Sequence, residues 1–204
     1  TRYISVTGVQ TCALPILGLG NTTNYSSPKQ VGALTTWDKV TASVSYALAI
    51  KTDGTLWSWG TNDRGQLGLN NVTYYSSPKQ VGALTTWSQV SAGGEFVAAV
   101  KTDGTLWSWG YNLYGQLGLS SITSYSSPKQ VGALTNWYGI ATGSSHSLAT
   151  KTDGTLWSWG RNIWGQLGLG NTTNYSSPKQ VGALTAWVSI AGGNFTLATK
   201  RSSS

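Results

Sequence analysis

The chain has one cysteine, Cys12, one histidine, His146, and no methionine. A single cysteine excludes an internal disulfide framework, so packing and hydrogen bonds must hold the fold. Charge is scarce too: Asp, Glu, Lys and Arg make up 9% of the residues, against the roughly 25% usual for soluble proteins. No apolar run is long enough to span a bilayer as a helix, and no stretch carries helical periodicity. A helical bundle and a helical membrane protein are thereby excluded.

The shortage of reactive groups limits chemistry as well. The carboxylates are Asp38, Asp53, Asp63, Glu95, Asp103 and Asp153. Asp53, Asp103 and Asp153 each precede a glycine in a turn signal, and the others are scattered. Neither a glycosidase carboxylate pair nor a metal cage is expected. A Ser-His-Asp arrangement would need His146 as its base. That position holds Tyr46, Phe96 and, allowing for a one-residue deletion, Phe195 in the other copies, so His146 reads as a packed structural residue. The expectation is therefore no enzyme, no catalytic residue, no cofactor and no metal.

What the chain has instead is glycine, with 26 copies, tryptophan, with 11, and a strict internal period. The ten residues Lys101-Thr-Asp-Gly-Thr-Leu-Trp-Ser-Trp-Gly110 also stand at Lys51–Gly60 and Lys151–Gly160. A second block, YSSPKQVGALT, begins at Tyr25, Tyr75, Tyr125 and Tyr175. A fixed period of this size marks one supersecondary unit copied in tandem. Leu17 to Lys200 holds about 3.7 periods, divided as 17–50 (partial), 51–100, 101–150 and 151–200.

Residues 1–16 do not match the repeat, which begins abruptly in mid-motif at Leu17. They read as a non-native junction of sequencing-adapter type or an unstructured segment. Residues 201–204 are read as a tail. The absence of a hairpin after Lys200 suggests that both ends cut through a repeat.

Each unit shows four short strand patterns. Trp87–Ala92 and Phe96–Thr102 are followed by Asp103-Gly104 and then Thr105–Gly110. An Asp-Gly pair between two such runs predicts a type I′ hairpin turn, with Gly54, Gly104 and Gly154 supplying positive φ. A Gly-rich loop leads to Ser127–Val131, whose Pro128 suits an edge strand. Four short strands per unit describe a propeller blade. The fold class is therefore all-β: a β-propeller of four-stranded blades of about fifty residues, forming an open partial ring. Trp57 and Trp59, Trp107 and Trp109, and Trp157 and Trp159 are each two apart on a strand and share a face. They are expected to cement one blade to the next.

The net charge of +7 invites a nucleic-acid reading, but the cations are spread once per repeat. Lys29, Lys79, Lys129 and Lys179 form one set, and Lys51, Lys101 and Lys151 another. Solvated lysine rows are expected, and a nucleic-acid partner is not.

The run Leu156 to Leu169, Leu-Trp-Ser-Trp-Gly-x-Asn-x-x-Gly-Gln-Leu-Gly-Leu, is followed by Pro178-x-x-Val181. It resembles the regulator of chromosome condensation repeat, as does Ile140–Ala149 ahead of the Asp-Gly hairpin. The resemblance covers Leu17 to Lys200. It implies a propeller that is typically closed with seven blades. Roles in that family include nucleotide exchange on a small GTPase, chromatin docking, inhibition of a secreted β-lactamase and ultraviolet sensing. The repeats here are too few for a seven-bladed ring, and no tryptophan is followed by arginine, as the ultraviolet receptor's Gly-Trp-Arg-His-Thr motif requires.

Function is most legible where the copies disagree. Thr61, Asp63 and Arg64 become Tyr111, Leu113 and Tyr114, then Arg161, Ile163 and Trp164, between identical flanks. Variation in loops beside a rigid frame is how repeat proteins diversify a binding surface. These nine residues are the candidate binding face, and an unidentified protein is the expected partner. A lectin-like module stacking sugars on the same aromatics is the first alternative, and a guanine-nucleotide exchange factor for a small GTPase the second. Self-association through exposed blade edges is a further expectation. Low charge and near-identical copies point to a secreted or surface-located bacterial protein.

Overall fold

The computed structural model describes residues 17–33 and 35–200. The readings placed on residues 1–16, Cys12 among them, and on the tail at 201–204 lie outside the described residues. Among the described residues there is no helix, and fourteen strands form four sheets. The first sheet is β1 (Trp37–Ala42), β2 (Tyr46–Lys51), β3 (Leu56–Gly60) and β4 (Tyr75–Gln80). The second is β5 (Trp87–Ala92), β6 (Phe96–Lys101), β7 (Leu106–Gly110) and β8 (Tyr125–Gln130). The third is β9 (Trp137–Thr142), β10 (His146–Lys151), β11 (Leu156–Gly160) and β12 (Tyr175–Gln180). The fourth is the pair β13 (Trp187–Gly192) and β14 (Thr196–Lys200). Within each sheet the strands are antiparallel and lie in chain order, so every unit is a meander.

The first strands, β1, β5, β9 and β13, contact one another in succession, and β5, β9 and β13 each also meet the second strand of the unit before. They therefore line the inner side of an arc, and β4, β8 and β12, with Pro78, Pro128 and Pro178, lie at the outer edge. Among the described residues the arc does not close.

The hairpin register explains which side chains meet. Opposite Trp57 and Trp59 on β3 stand Ala49 and Ala47 on β2; opposite Trp107 and Trp109 stand Ala99 and Val97. Small residues on the second strand leave room for indoles on the third. A third indole joins from the first strand: Trp87 sits 6.3 Å from Trp107 and 5.9 Å from Trp109, edge to face in both cases. Trp37 and Trp137 repeat this arrangement. One face of each four-stranded sheet is thus an indole face. The other carries Tyr46, Leu48, Ile50 and Leu56 in the first unit.

The core lies between units, where the aliphatic face of one meets the indole face of the next. Tyr46, Leu48, Ile50, Leu56 and Leu67 cluster with Trp87, Val97, Ala99 and Trp109. Val100, Leu106 and Val131 cluster in the same way with Trp137, Ala149 and Trp159. Trp59, Trp109 and Trp159 are fully buried, while Trp57, Trp107 and Trp157 keep a partly exposed edge. The joint also has polar fasteners. The indole N–H of Trp109 donates to the Gln66 carbonyl at 3.0 Å, and that of Trp159 to Gln116 at 2.9 Å. The Asn70 amide donates to Ser126 and the Ser120 amide to Ser176, tying each Gly-rich loop to the outer strand of the following unit.

Two expectations are corrected. Lys51, Lys101 and Lys151 are not a solvated row. Lys101 and Lys151 are 7% and 8% exposed, with Nζ 3.6 Å and 3.8 Å from the Trp107 and Trp157 ring centroids and a second indole about 5 Å away. The register places this lysine opposite the first-strand tryptophan, so its ammonium is caught between two ring faces. Burial lowers the Lys101 and Lys151 ammonium below the usual lysine range, and the cation–π attraction, about 0.5–2 kcal/mol, offsets part of that desolvation. Only the set at Lys29, Lys79, Lys129 and Lys179 is exposed, each over the tyrosine four residues before it.

The hairpin turn is also not type I′. That turn needs two residues at positive φ, and only Gly54 has it, at 78°. The Gly54 amide donates to the Lys51 carbonyl at 2.9 Å, and the Lys51 amide to Thr55. The reason lies in Asp53, whose carboxylate accepts both the amide (2.9 Å) and the hydroxyl (2.6 Å) of Thr55 and fixes an Asx-type turn. Those two bonds, the hydroxyl first, hold the Asp53 carboxyl below the usual range. Thr55 in turn accepts the Trp57 indole N–H at 2.9 Å, linking turn to indole face. A Cβ on Gly54 would lie 2.1 Å from the Thr85 carbonyl oxygen of the linker to the next unit, and Gly104 and Gly154 meet the same obstacle.

Burying one indole removes roughly 150–250 Å² from water. Trp109→Ala should therefore destabilise the protein by about 3–5 kcal/mol, read from the midpoint and slope of urea unfolding. A loss below about 1 kcal/mol would contradict this packing.

Candidate binding face

The loops between third and fourth strands of successive units adjoin one another along the arc. Their frame is the repeated Asn-x-x-Gly-Gln-Leu-Gly. Asn62 is fully buried. Its Nδ2 donates to the carbonyls of Asn71 (2.9 Å) and Thr73 (3.0 Å), and its Oδ1 accepts the Leu67 amide at 2.9 Å. Asn112 and Asn162 occupy the same place in the next loops. The amide oxygens of Gln66, Gln116 and Gln166 accept the backbone N–H of Arg64, Tyr114 and Trp164, each at 2.9 Å. Ser58, Ser108 and Ser158 donate to the loop carbonyls of Leu67, Leu117 and Leu167. With these bonds made inward, the two positions between Asn and Gly are turned outward.

Asp63 and Arg64 are exposed, Leu113 and Ile163 are half exposed, and Trp164 is 80% exposed. Tyr111, Tyr114 and Arg161 are partly buried because they touch across loops. The Arg64 guanidinium lies 5.2 Å from the Tyr111 ring, and that of Arg161 lies 4.9 Å from the Tyr114 ring. Eight of the nine candidates therefore lie on three consecutive loops whose side chains meet. Thr61 is not part of the outer surface: it is 6% exposed and its hydroxyl donates to the Ser45 hydroxyl at 2.8 Å.

Two residues outside the candidate set join this face. Glu95, from the turn between β5 and β6, has Oε2 3.8 Å from Arg64 Nε. Tyr74 lies beside Asp63, and its interaction with that carboxylate is the main cause that raises its phenol above the usual range. Glu95 has a sequence signal, since the matching positions hold Ser45, Ser145 and Asn194; only the fold places it beside Arg64. The other variable pairs, such as Asp38-Lys39 and Tyr138-Gly139, start the first strands and lie away from these loops. There Lys39 Nζ donates to the Ser88 carbonyl and Gln89 to that of Tyr138, bridging successive inner strands.

His146 lies beneath the face at the start of β10, 2% exposed. Its Nε2 is 3.1 Å from the Thr196 hydroxyl on β14, and Thr196 donates to the Gln166 carbonyl at 2.6 Å. Tyr46 makes the equivalent reach, donating to Phe96 O and Gly93 O. Burial lowers the His146 pKa to about 4. Among the described residues no group of three or more His, Cys, Asp or Glu could hold a metal ion.

An unfolded histidine titrates near ~6.5. The unfolded chain therefore takes up a proton that folded His146 refuses, and stability falls as pH drops from about 6.5 toward 4. By pH 4.5 the loss should reach about 2–3 kcal/mol. His146→Phe, which installs the residue found at position 96, should remove that component, as measured by urea midpoints at pH 7.5 and 4.5. The depressed Asp53, Asp103 and Asp153 carboxyls act in a lower window, losing their contribution only below about pH 3.9. An unchanged pH dependence in the variant would contradict a desolvated, neutral His146.

The family model for the regulator of chromosome condensation (RCC1) repeat matches residues 53–100, 103–150 and 153–198. A second model of the same repeat matches 37–66, 87–116 and 138–166. No curated protein sequence matches the chain. Among solved structures, human WBSCR16 superposes with a TM-score of 0.76 at 26% identity, over 86% of this chain and 48% of that one. Prp20p from Saccharomyces cerevisiae gives 0.75 at 20% identity, over 86% and 46%. Yeast RCC1 (Prp20) in its complex with Kap60 gives 0.72 at 22% identity, over 85% and 44%. The chain spans about half the length of these structures.

Proposed function

This chain belongs to the RCC1 repeat family, and from that membership we propose that it is a non-catalytic propeller scaffold that binds a protein partner through the loops at 61–64, 111–114 and 161–164. The observation that carries the reading is the division of labour within the loops. Identical Asn, Gly and Gln residues are used up inside each loop, while the differing residues between Asn and Gly point outward, and Arg64 and Tyr114 among them touch the neighbouring loop. The structure of Prp20p was reported together with its binding to Gsp1p and histones, and yeast RCC1 was solved bound to Kap60. Protein recognition is thus a use to which this fold is put in the neighbours, and it suits a rigid face bearing tyrosine, tryptophan and arginine, the residue types enriched at binding hot spots.

The absence of catalysis in this reading rests on the placement of the reactive groups. His146 is buried against a threonine of the next unit, and three of the six carboxylates are committed to hairpin turns. The 80% exposed indole of Trp164 also suits stacking against a sugar ring, which keeps a lectin-like reading open to test.

Panning of a displayed random-peptide library against the chain should yield binders whose affinity falls about thirtyfold or more when Tyr111, Tyr114 and Trp164 are all changed to Ala, since a hot-spot residue contributes about 2 kcal/mol or more. Binders indifferent to the triple change would overturn the reading. A glycan-array signal abolished by the same triple change would replace it with the lectin-like one.

A further inference from the structure

Resting on that loop-face reading, the geometry points to the chemistry of the partner: a peptide segment with a carboxylate beside an apolar or aromatic side chain, the carboxylate going to Arg161. The two arginines of the face are in different states. Arg64 is already matched, with Glu95 at 3.8 Å and the Tyr111 ring beneath it. Asp63 is engaged by Tyr74. Arg161 has no such match. Among the described residues the ion pairs join only Lys39 to Asp38 and Arg64 to Glu95. The Arg161 Nε is buried and has no hydrogen-bond partner.

A partly buried guanidinium without an anion is a set of hydrogen-bond donors left unfilled. Its plane is held by the Tyr114 ring at 4.9 Å, so little side-chain freedom remains to be lost on binding. A carboxylate reaching it would form charge-assisted hydrogen bonds in a setting less screened than open water. The neighbours fix what should accompany that carboxylate. Leu113, Ile163 and Trp164, on the two loops that bring Tyr114 and Arg161 together, are 52%, 42% and 80% exposed. They offer apolar contact on either side of one cation.

A phosphate polymer or a sulfated sugar fits less well. Such ligands draw on several cations at once. Here the second arginine is neutralised by Glu95, and Asp63 adds a negative charge on the same side.

The test uses the full 204-residue chain on two arrays of short peptides. One carries Asp or Glu next to Phe, Trp or Leu, and its twin carries Asn or Gln instead. Spots should bind on the first array and fade on the second. In solution the best peptides should lose about tenfold or more in affinity with Arg161→Gln, keep an intermediate affinity with Arg161→Lys, and be unaffected by Lys129→Gln, an exposed cation on the outer strand β8. Far-ultraviolet circular dichroism melts of the three variants check that each is folded. Equal binding to both arrays, no binding to either, or indifference to Arg161→Gln would overturn this inference, as would displacement of every peptide by heparin at low micromolar concentration with no carboxylate dependence. Peptides that bind without needing a carboxylate but fail on the Tyr111, Tyr114 and Trp164 triple variant would leave the loop-face reading standing. Peptides that survive the triple change would remove that reading and this inference together.

Discussion

The structure depends on one kind of contact, made again at every joint: an indole-covered sheet face buried against the aliphatic face of the neighbouring sheet. A single meander of four short strands exposes both faces and cannot be stable in water alone. Placing Leu48, Leu56 and Leu67 against Trp87 and Trp109 solves that problem for two units at once. The alternation that puts Ala47 and Ala49 beside Trp57 and Trp59 lets the indoles lie flat enough to be covered. The buried lysine follows from the same arrangement. It fills the space between two indoles with an aliphatic stem and an ammonium that the ring faces attract.

This contact also accounts for the division between what repeats and what varies. Several residues that form the joint or hold a loop against it are the same in every full copy: the paired tryptophans, Asn62, Asn112 and Asn162, and Gly54, Gly104 and Gly154. Positions between Asn and Gly in the loops lie outside the buried core of the joint, and they differ between copies. The left-handed residue after the loop shows how closely the frame is kept. Asn70 and Ser120 adopt φ of 58° and 57° where other copies have Gly20 and Gly170, and Asn70 and Ser120 still donate to the following outer strand.

Much of this was legible in the sequence. The fifty-residue period, the strand order and the shared face of each tryptophan pair follow from repetition and alternation alone. What escaped was whatever depends on a partner brought in from elsewhere. Lys101 stands two residues before Asp103 and reads as a solvated charge; only the pairing of β5 with β6 reveals Trp87 beside it. Asp-Gly suits two hairpin turns, and the choice between them was made by Thr55, whose bonds to Asp53 hold the turn with a single residue at positive φ. Thr61 varies like its neighbours Asp63 and Arg64, yet it turns inward to Ser45. Glu95 belongs beside Arg64 for a reason no local pattern carries: two different loops end at the same side of the arc.

The central claim, that energy resides in the face-to-face joint between units, is tested most directly by a double-mutant cycle across one joint. Leu67→Ala and Trp109→Phe, singly and together, would be measured by urea unfolding. Both residues are fully buried in one cluster although they belong to different units. Side chains coupled through that joint should show an interaction energy of about 0.5–3 kcal/mol. Additivity to within about 0.3 kcal/mol would mean that the units do not rely on each other as this structure requires.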